Sequence, residues 1–177
     1  MRRILKIIAI ILVLVLLVVA SKHSIRYYTL SNISFKDQLL SESQAKRLIK
    51  LINGVEFYQP LYEVKFPTIY TFLNPIKRAN TSKERANIIH EYLKSDIQHK
   101  KLNILDVGSS LGYMPLYFGN LNNIVLGIDN NSNNVTVSNF LNQLNNNPDI
   151  NFKLASFDKE YIDRMPYSYD ITFIFSV

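Results

Sequence analysis

The stretch NILDVGSSLGYMPLYF, residues 103–118, decides the fold of this chain. An apolar run at residues 104–107 is interrupted by one carboxylate, Asp106. Gly108 and Gly112 follow it, before a segment with helical spacing. This order predicts a strand, a tight turn and the start of a helix. A buried Asp is costly unless it is hydrogen-bonded, and the glycines let the backbone bend sharply and approach a ligand closely. We therefore expect the turn to hold a small molecule against the helix N-terminus.

The segments after this turn alternate between strand and helix patterns. Three more strands are expected, at residues 124–129, 150–156 and 169–177. The first of these ends in a second carboxylate, Asp129, and Ser132 is the expected N-cap of the helix that follows it. The expected stripe of that helix consists of Val135, Asn139, Phe140 and Leu144. A short helix or loop is expected at residues 158–164. Such alternation predicts right-handed βαβ units in a doubly wound, Rossmann-like parallel sheet covered on both faces.

Two capping boxes predict helices upstream of the glycine turn. Ser41 and Gln44 bracket the start of the first helix, which is expected to end at Gly54. Thr81 and Glu84 bracket the start of the second. At the other end, the chain stops inside the fourth expected strand. We therefore expect a fragment of a longer protein, with a sheet that is incomplete at its C-terminus.

Composition limits the class of partner. Of the net charge of +6, five basic residues and no acid lie within residues 1–33, which leaves 15 basic and 14 acidic side chains in the rest of the chain. The expected sheet domain therefore lacks the basic excess of a nucleic-acid binder, and no nucleic acid is expected as a partner. The chain has no cysteine, and its three histidines are scattered. No metal site is predicted.

Two kinds of site fit a strand, glycine turn and helix only in part. A dinucleotide fingerprint requires glycines where Ser110 and Tyr113 stand. A serine hydrolase elbow is matched literally by Gly108-x-Ser110-x-Gly112, with Ser110 as the nucleophile. That elbow requires a histidine later in the chain. All three histidines precede Ser110, so its triad would have to be completed beyond the last residue.

A third interpretation also uses the carboxylates. The segment Asp106-Val107-Gly108-Ser109-Ser110-Leu111-Gly112 resembles the Asp/Glu-x-Gly-x-Gly-x-Gly loop of the class I S-adenosylmethionine-dependent methyltransferases. Asp129 follows 23 residues after Asp106, at the end of the next expected strand, as an acid does in that family. The resemblance covers residues 103–177. Ser110 departs from the family pattern because it replaces the middle glycine.

The resemblance implies S-adenosylmethionine as the cofactor and a set of residues that bind it. Asp129 would accept hydrogen bonds from the ribose diol, and Asp158 would lie near the adenine amino group. The implied cofactor-binding residues are Asp106, Gly108, Ser109, Ser110, Gly112, Asp129, Asn130 and Asp158. Structural roles stay open beside these: turn geometry for the two glycines, and capping for Asp129 and Asp158.

The methyl acceptor and the catalytic base do not follow from the resemblance. The family's Asn/Asp-Pro-Pro-Tyr/Phe motif is absent after the fourth strand, where residues 175–177 read Phe-Ser-Val, which disfavours an amino-group methylase of DNA. A small molecule or an envelope component is the expected acceptor. Two alternatives stay open: the serine hydrolase that uses Ser110, and a membrane-anchored interaction domain without enzymatic activity.

The N-terminus predicts a membrane attachment. Residues 7–20 form an unbroken apolar run, which has 17 residues when it is extended back to residue 4 and spans about 25 Å as a helix. A single-pass anchor that contacts lipid through residues 4–20 is favoured over a cleaved secretory signal. Flanking basic residues weakly favour a cytoplasmic N-terminus, which conflicts with the cytoplasmic enzyme domain that a cytosolic cofactor requires. The expected division is an anchor at residues 1–22, a linker and helical region at residues 23–100, and the partial methyltransferase domain at residues 101–177.

Overall fold

Four parallel strands form the sheet of the described part of the chain. They are β1 (Asn103–Val107), β2 (Ile124–Asp129), β3 (Ile150–Leu154) and β4 (Ile171–Ile174). The computed structural model describes residues 39–55, 61, 62, 64, 79–165 and 168–175. The strand order is β3-β2-β1-β4, so β1 is central and pairs with β2 on one side and β4 on the other. This arrangement confirms the predicted parallel α/β sheet, and the strand order changes direction beside β1.

Five helices accompany these strands in the described residues. They are α1 (Glu42–Ile52), α2 (Ala79–His99), α3 (Tyr113–Gly119), α4 (Ser132–Asn145) and α5 (Lys159–Asp163). Helix α1 packs on α4, and α2 packs on α3. Buried side chains of α1, α3 and α4 belong to one core together with Ile104 and Val125 of the sheet. The helical region before the sheet is therefore packed into the same core as the strands.

The two faces of the sheet differ in their cover. Ile104, Val125 and Phe173 point to the face that α1, α3 and α4 cover, which we call the covered face. Leu105, Val107 and Ile128 point to the opposite, half-covered face, where they contact residues in and around α5, including Tyr161 and Met165. Ile124 and Ile174 are exposed. In the described structure, helices therefore cover one face of the sheet fully and the opposite face only in part, whereas cover on both faces was expected.

The first capping box is confirmed, and two other predicted helix starts are wrong. The Ser41 hydroxyl accepts a hydrogen bond from the Gln44 backbone N–H, and the Gln44 side chain accepts one from the Ser41 N–H. Helix α2 already begins at Ala79, so Thr81 lies inside it. The N-cap of α4 is Asn131 and not Ser132, because the Asn131 side chain accepts from the N–H groups of Asn133 and Asn134.

The buried stripe of α4 also differs from the prediction. Its buried residues are Asn134, Val137, Ser138, Phe140 and Leu141, whereas Asn139 is exposed. Two of the buried residues are polar, and their hydrogen bonds to neighbouring segments compensate for their burial. Strand β3 ends at Leu154, before the predicted Ser156, and residues 176 and 177 of the predicted fourth strand lie outside the described residues.

The predicted membrane anchor also lies outside the described residues, which begin at Leu39. Within the described ranges, no helix combines the length and the apolar character needed to cross a bilayer.

Candidate functional site

The turn after β1 has the backbone geometry that its glycines predict. Gly108 has a φ of 69°, and Gly112, the N-cap of α3, has a φ of 79°. Between them Ser110 also adopts the left-handed region, with a φ of 50°. Glycine occupies this region freely, whereas a residue with a Cβ loses about 1–2 kcal/mol there. Ser110 therefore adopts a conformation typical of glycine, and other contacts must compensate for its strain.

Asp129, the last residue of β2, supplies one of those contacts. Its Oδ2 accepts a hydrogen bond from the Ser110 N–H at 2.8 Å. Its Oδ1 accepts from the Asn131 N–H at 2.8 Å and from the Asn134 side-chain amide at 3.2 Å. A carboxylate offers about four acceptor sites, so these bonds occupy three and leave about one for a ligand hydroxyl. Asp129 thus fastens the glycine turn to the end of the neighbouring strand.

Asp106 is a buried acid near the carboxyl end of the central strand β1. It is 3% exposed, and its partners in register on the neighbouring strands are Gly127 and Phe173. None of the described residues donates a hydrogen bond to its carboxyl. Burial, and secondly the neighbouring Asp129 carboxylate, raise the pKa of Asp106 to about 8. At neutral pH this carboxyl is therefore largely protonated in the free protein, and a cationic ligand nearby would favour its ionised form.

Two serine hydroxyls of the turn are buried and have no partner among the described residues. Ser109 and Ser110 are each 1% exposed, and neither Oγ makes a hydrogen bond within the described part of the chain. Buried hydroxyls without partners are uncommon, and such groups occur where a ligand or a water supplies the missing bond. The burial of Ser110 offers no support for the hydrolase alternative, because a nucleophile elbow presents its hydroxyl at the surface. His90 bonds to Tyr117 and His99 to the Ser95 carbonyl, so neither activates Ser110.

The remaining predicted residues lie around the carboxyl ends of β2 and β3. Asn130 is exposed, directly after Asp129. Asp158 is the N-cap of α5, where its Oδ1 accepts from the Tyr161 N–H at 2.8 Å. The same residue lines a cavity of about 730 Å³ together with Ala155, Ser156, Tyr161 and Met165. The structure therefore brings Asp106, the glycine turn and Asp129 together, and it places Asp158 on the wall of this separate cavity.

Three residues near the turn were not predicted from the sequence. The Ser138 hydroxyl of α4 donates to the Ser110 carbonyl oxygen at 2.9 Å, and Asn134 binds Asp129. The Phe152 ring of β3 fills the space beside Gly112 and Gly127, where an added Cβ would lie 2.6–2.8 Å from ring carbons. The one-turn spacing of Asn134 and Ser138 beside Val137 and Leu141 is consistent with a shared buried face of α4, but it does not identify the groups that they bind.

Known proteins resemble this chain in structure and not in sequence. No protein-family model matches the sequence, and no curated protein matches it. The solved structure of the bifunctional kinase-methyltransferase WbdD matches at a TM-score of 0.57 and 21% identity, covering 71% of this chain and 27% of that one. A structure of monomeric WbdD matches at a TM-score of 0.54 and 22% identity, with coverage of 70% and 29%.

A third match, the N-terminal domain of EvdMO1 with SAH bound, has a TM-score of 0.42 and 16% identity and covers 67% of this chain and 48% of that one. The WbdD matches show that the described chain shares its fold with part of that kinase-methyltransferase. The chain spans less than a third of the length of the WbdD chains.

Proposed function

We propose that this chain binds S-adenosylmethionine and is part of a methyltransferase. One observation carries the proposal: two acids at neighbouring strands meet a left-handed glycine turn at the carboxyl edge of a parallel sheet, beside the change in strand order. In open α/β sheets this crevice is where nucleotide ligands bind. The two buried serine hydroxyls and the Asp106 carboxyl, which accept no hydrogen bond from the described residues, are groups that a polar, cationic ligand would satisfy.

Two glycines of the turn and two strand acids have the main roles in holding the cofactor. Gly108 and Gly112 let the backbone approach it, and the free acceptor site of Asp129 suits a ribose hydroxyl. The Asp106 carboxyl suits a cationic group, because a positive charge nearby offsets both its burial and its repulsion by Asp129. When bound, S-adenosylmethionine supplies a methyl group that its sulfonium already activates. The chain has to align an acceptor with that methyl group and exclude water from the site.

Calorimetric titration of S-adenosylhomocysteine into the full chain tests the proposal. We expect saturable binding, and Asp129→Asn should weaken it about tenfold or more because the variant loses a charged acceptor. Asp149→Asn is the matched control, since Asp149 pairs with Lys101 at the opposite, amino-terminal edge of the sheet. Circular dichroism shows whether each variant is folded. Absence of binding by the folded wild-type chain would contradict the proposal.

The two alternatives predict different results in companion experiments. A serine hydrolase would be labelled at Ser110 by a fluorophosphonate, and Ser110→Ala would abolish the labelling. An interaction domain would neither bind the cofactor product nor react with the probe. The methyltransferase proposal expects binding without labelling, because the Ser110 hydroxyl is buried and has no histidine partner among the described residues.

We further propose that residues 4–20 tether the protein to a membrane, with the enzyme domain in the cytoplasm and a small-molecule or envelope acceptor. The absence of native cysteine allows a direct test. Tyr92, an exposed residue of α2, can be replaced in Tyr92→Cys and probed with a membrane-impermeant maleimide. Labelling only after the cells are opened supports the cytoplasmic placement, and labelling of intact cells contradicts it. Recovery in the soluble fraction after alkaline extraction would contradict the tether.

A further inference from the structure

Ser110 is held from both sides of its backbone. Its N–H donates to Asp129 Oδ2 at 2.8 Å, and its carbonyl oxygen accepts from the Ser138 hydroxyl at 2.9 Å. Asp129 lies at the end of β2 and Ser138 in the middle of α4, so the two contacts come from different elements. Both are buried, where a hydrogen bond is not weakened by competing water.

The partners of Ser110 are themselves fixed. Ser138 lies at the centre of the buried stripe of α4, and its hydroxyl proton is shared between the carbonyl oxygens of Ser110 and Asn134, each 2.9 Å away. Asn134 binds Asp129 through its side-chain amide. Asn134 and Ser138 stand one turn apart, so one face of α4 both fixes Asp129 and contacts Ser110 directly.

We propose that Ser138 is a positioning residue of the cofactor loop: together with Asp129 it holds Ser110 in the left-handed conformation that a glycine would adopt unaided. The inference rests on the proposed function in one respect, that this loop binds the cofactor. The strain that arises because Ser110 stands in place of the glycine of the family pattern is offset by the contact from α4. Ser138 does not contact the reacting atoms in this role, and it acts through the backbone of Ser110.

A double-mutant cycle between Ser138→Ala and Ser110→Gly tests this role. With Ser110 present, Ser138→Ala should weaken binding of S-adenosylhomocysteine about tenfold, because the left-handed conformation of Ser110 is then no longer held against its strain. In the Ser110→Gly background the same change should weaken binding less than about twofold, because glycine needs no help to reach a positive φ. Equal losses in the two backgrounds would overturn the inference.

Thr136→Ala is the matched control. Thr136 lies on the exposed side of α4, and its hydroxyl donates to the carbonyl oxygen of Ser132 four residues earlier, as that of Ser138 does to Asn134. The variant removes the same kind of local bond without affecting the loop, so it should leave binding within about twofold of wild type. A loss as large as that of Ser138→Ala would show that helix stability alone explains the effect, and would contradict the inference.

A readout without ligand separates this inference from the proposed function. Amide hydrogen exchange at Ser110 should be faster in Ser138→Ala and unchanged in Thr136→Ala, and the urea midpoint should show the same coupling between positions 138 and 110. If wild type does not bind S-adenosylhomocysteine but the coupling is present, only the proposed function fails. If binding is present but the coupling is not, only the inference fails. Should Ser138→Ala not fold, folding of the double variant supports the inference and its failure to fold contradicts it.

Discussion

Asp106 is a residue whose affinity for a proton changes when the chain folds. Its carboxyl is buried in the sheet, next in register to a glycine and a phenylalanine, and near the Asp129 carboxylate. In the unfolded chain the same group is solvated and ionises in the ordinary acidic range. Between the pKa of Asp106 in the unfolded chain and its raised pKa in the folded protein, the folded protein binds a proton that the unfolded chain has released.

The stability of the free protein should therefore fall as the pH rises. The pKa of Asp106 is raised to about 8 in the folded state, so its contribution is fully present below the unfolded value and is lost as the pH rises through about 8. The slope is at most about 1.4 kcal/mol per pH unit between about pH 4 and pH 8. Asp106→Asn, which mimics the protonated form, should remove this component. Urea unfolding of both proteins across this range measures it, and parallel pH profiles would contradict the assignment.

The glycine turn and its two acids could be found from the sequence because they are local features. Gly108 and Gly112 lie within one short segment with Asp106, and Asp129 ends the next apolar run. Ser138 could not be found in this way. A serine in a helix resembles any solvated residue until the carbonyl that it binds is placed, and that carbonyl lies 28 residues away in the chain.

At the scale of elements, β2 and β3 approach each other and the turn because Gly127 has no side chain. A Cβ there would lie 2.7 Å from a Phe152 ring carbon and 2.9 Å from the Ser109 hydroxyl. Gly127→Ala should therefore cost about 1–3 kcal/mol of stability through overpacking, measured by urea unfolding. The cost should shrink in a Phe152→Leu background.

Gly54→Ala is the control for that prediction, because no atom of the described residues lies closer than 3.6 Å to the position of its added Cβ. We expect a change of less than about 0.5 kcal/mol, as for an ordinary exposed substitution. Equal losses at Gly54 and Gly127 would show that the backbone freedom of glycine matters more than the space beside Phe152.

The start of α4 offers a second prediction for an element. Asn131 accepts two backbone hydrogen bonds as the N-cap, whereas Ser132 is already inside the helix. Asn131→Ala should therefore cost about 1 kcal/mol in thermal or urea unfolding, and Ser132→Ala much less. A larger loss for Ser132→Ala than for Asn131→Ala would instead identify Ser132 as the N-cap, as the sequence pattern predicts.

Strand positions were predicted better than helix ends, for a physical reason. Each strand is a short apolar run whose burial is decided by its own residues, so each of the four strands lies within its predicted range, although β3 and β4 are shorter than predicted. A cap depends on the backbone angles of one residue, and the neighbouring Asn131 and Ser132 are both good caps by composition. The sequence pattern could not choose between them.

For the molecule as a whole, Asp170 ties the beginning of β4 to the centre of the sheet. Its carboxylate accepts from the Asn103 N–H at 2.8 Å and from the Lys100 ammonium at 2.6 Å. The Asn103 backbone donor first, and then Lys100, lower the pKa of Asp170. This contribution is present above the ordinary carboxyl range and is lost as the pH falls through the lowered pKa.

Asp170→Asn should therefore destabilise the protein near neutral pH, and the difference from wild type should shrink on acidification. Lys100→Met should have the smaller effect, because the backbone donor contributes more to the shift and an exposed ion pair contributes little. Urea unfolding at several pH values measures both variants. A difference that persists in acid would contradict a role for the charge.

The central position of β1 has a consequence for the order in which the chain assembles. The contacts that join β1 to β2 bridge about 20 residues, whereas the Asn103–Asp170 contact beside β4 bridges 67. Closing the longer loop costs roughly 1 kcal/mol more in chain entropy. We therefore expect β1, β2 and the intervening α3 to condense early and β4 to dock late, so that destabilising substitutions in β4 accelerate unfolding while those at the β1–β2 junction slow refolding.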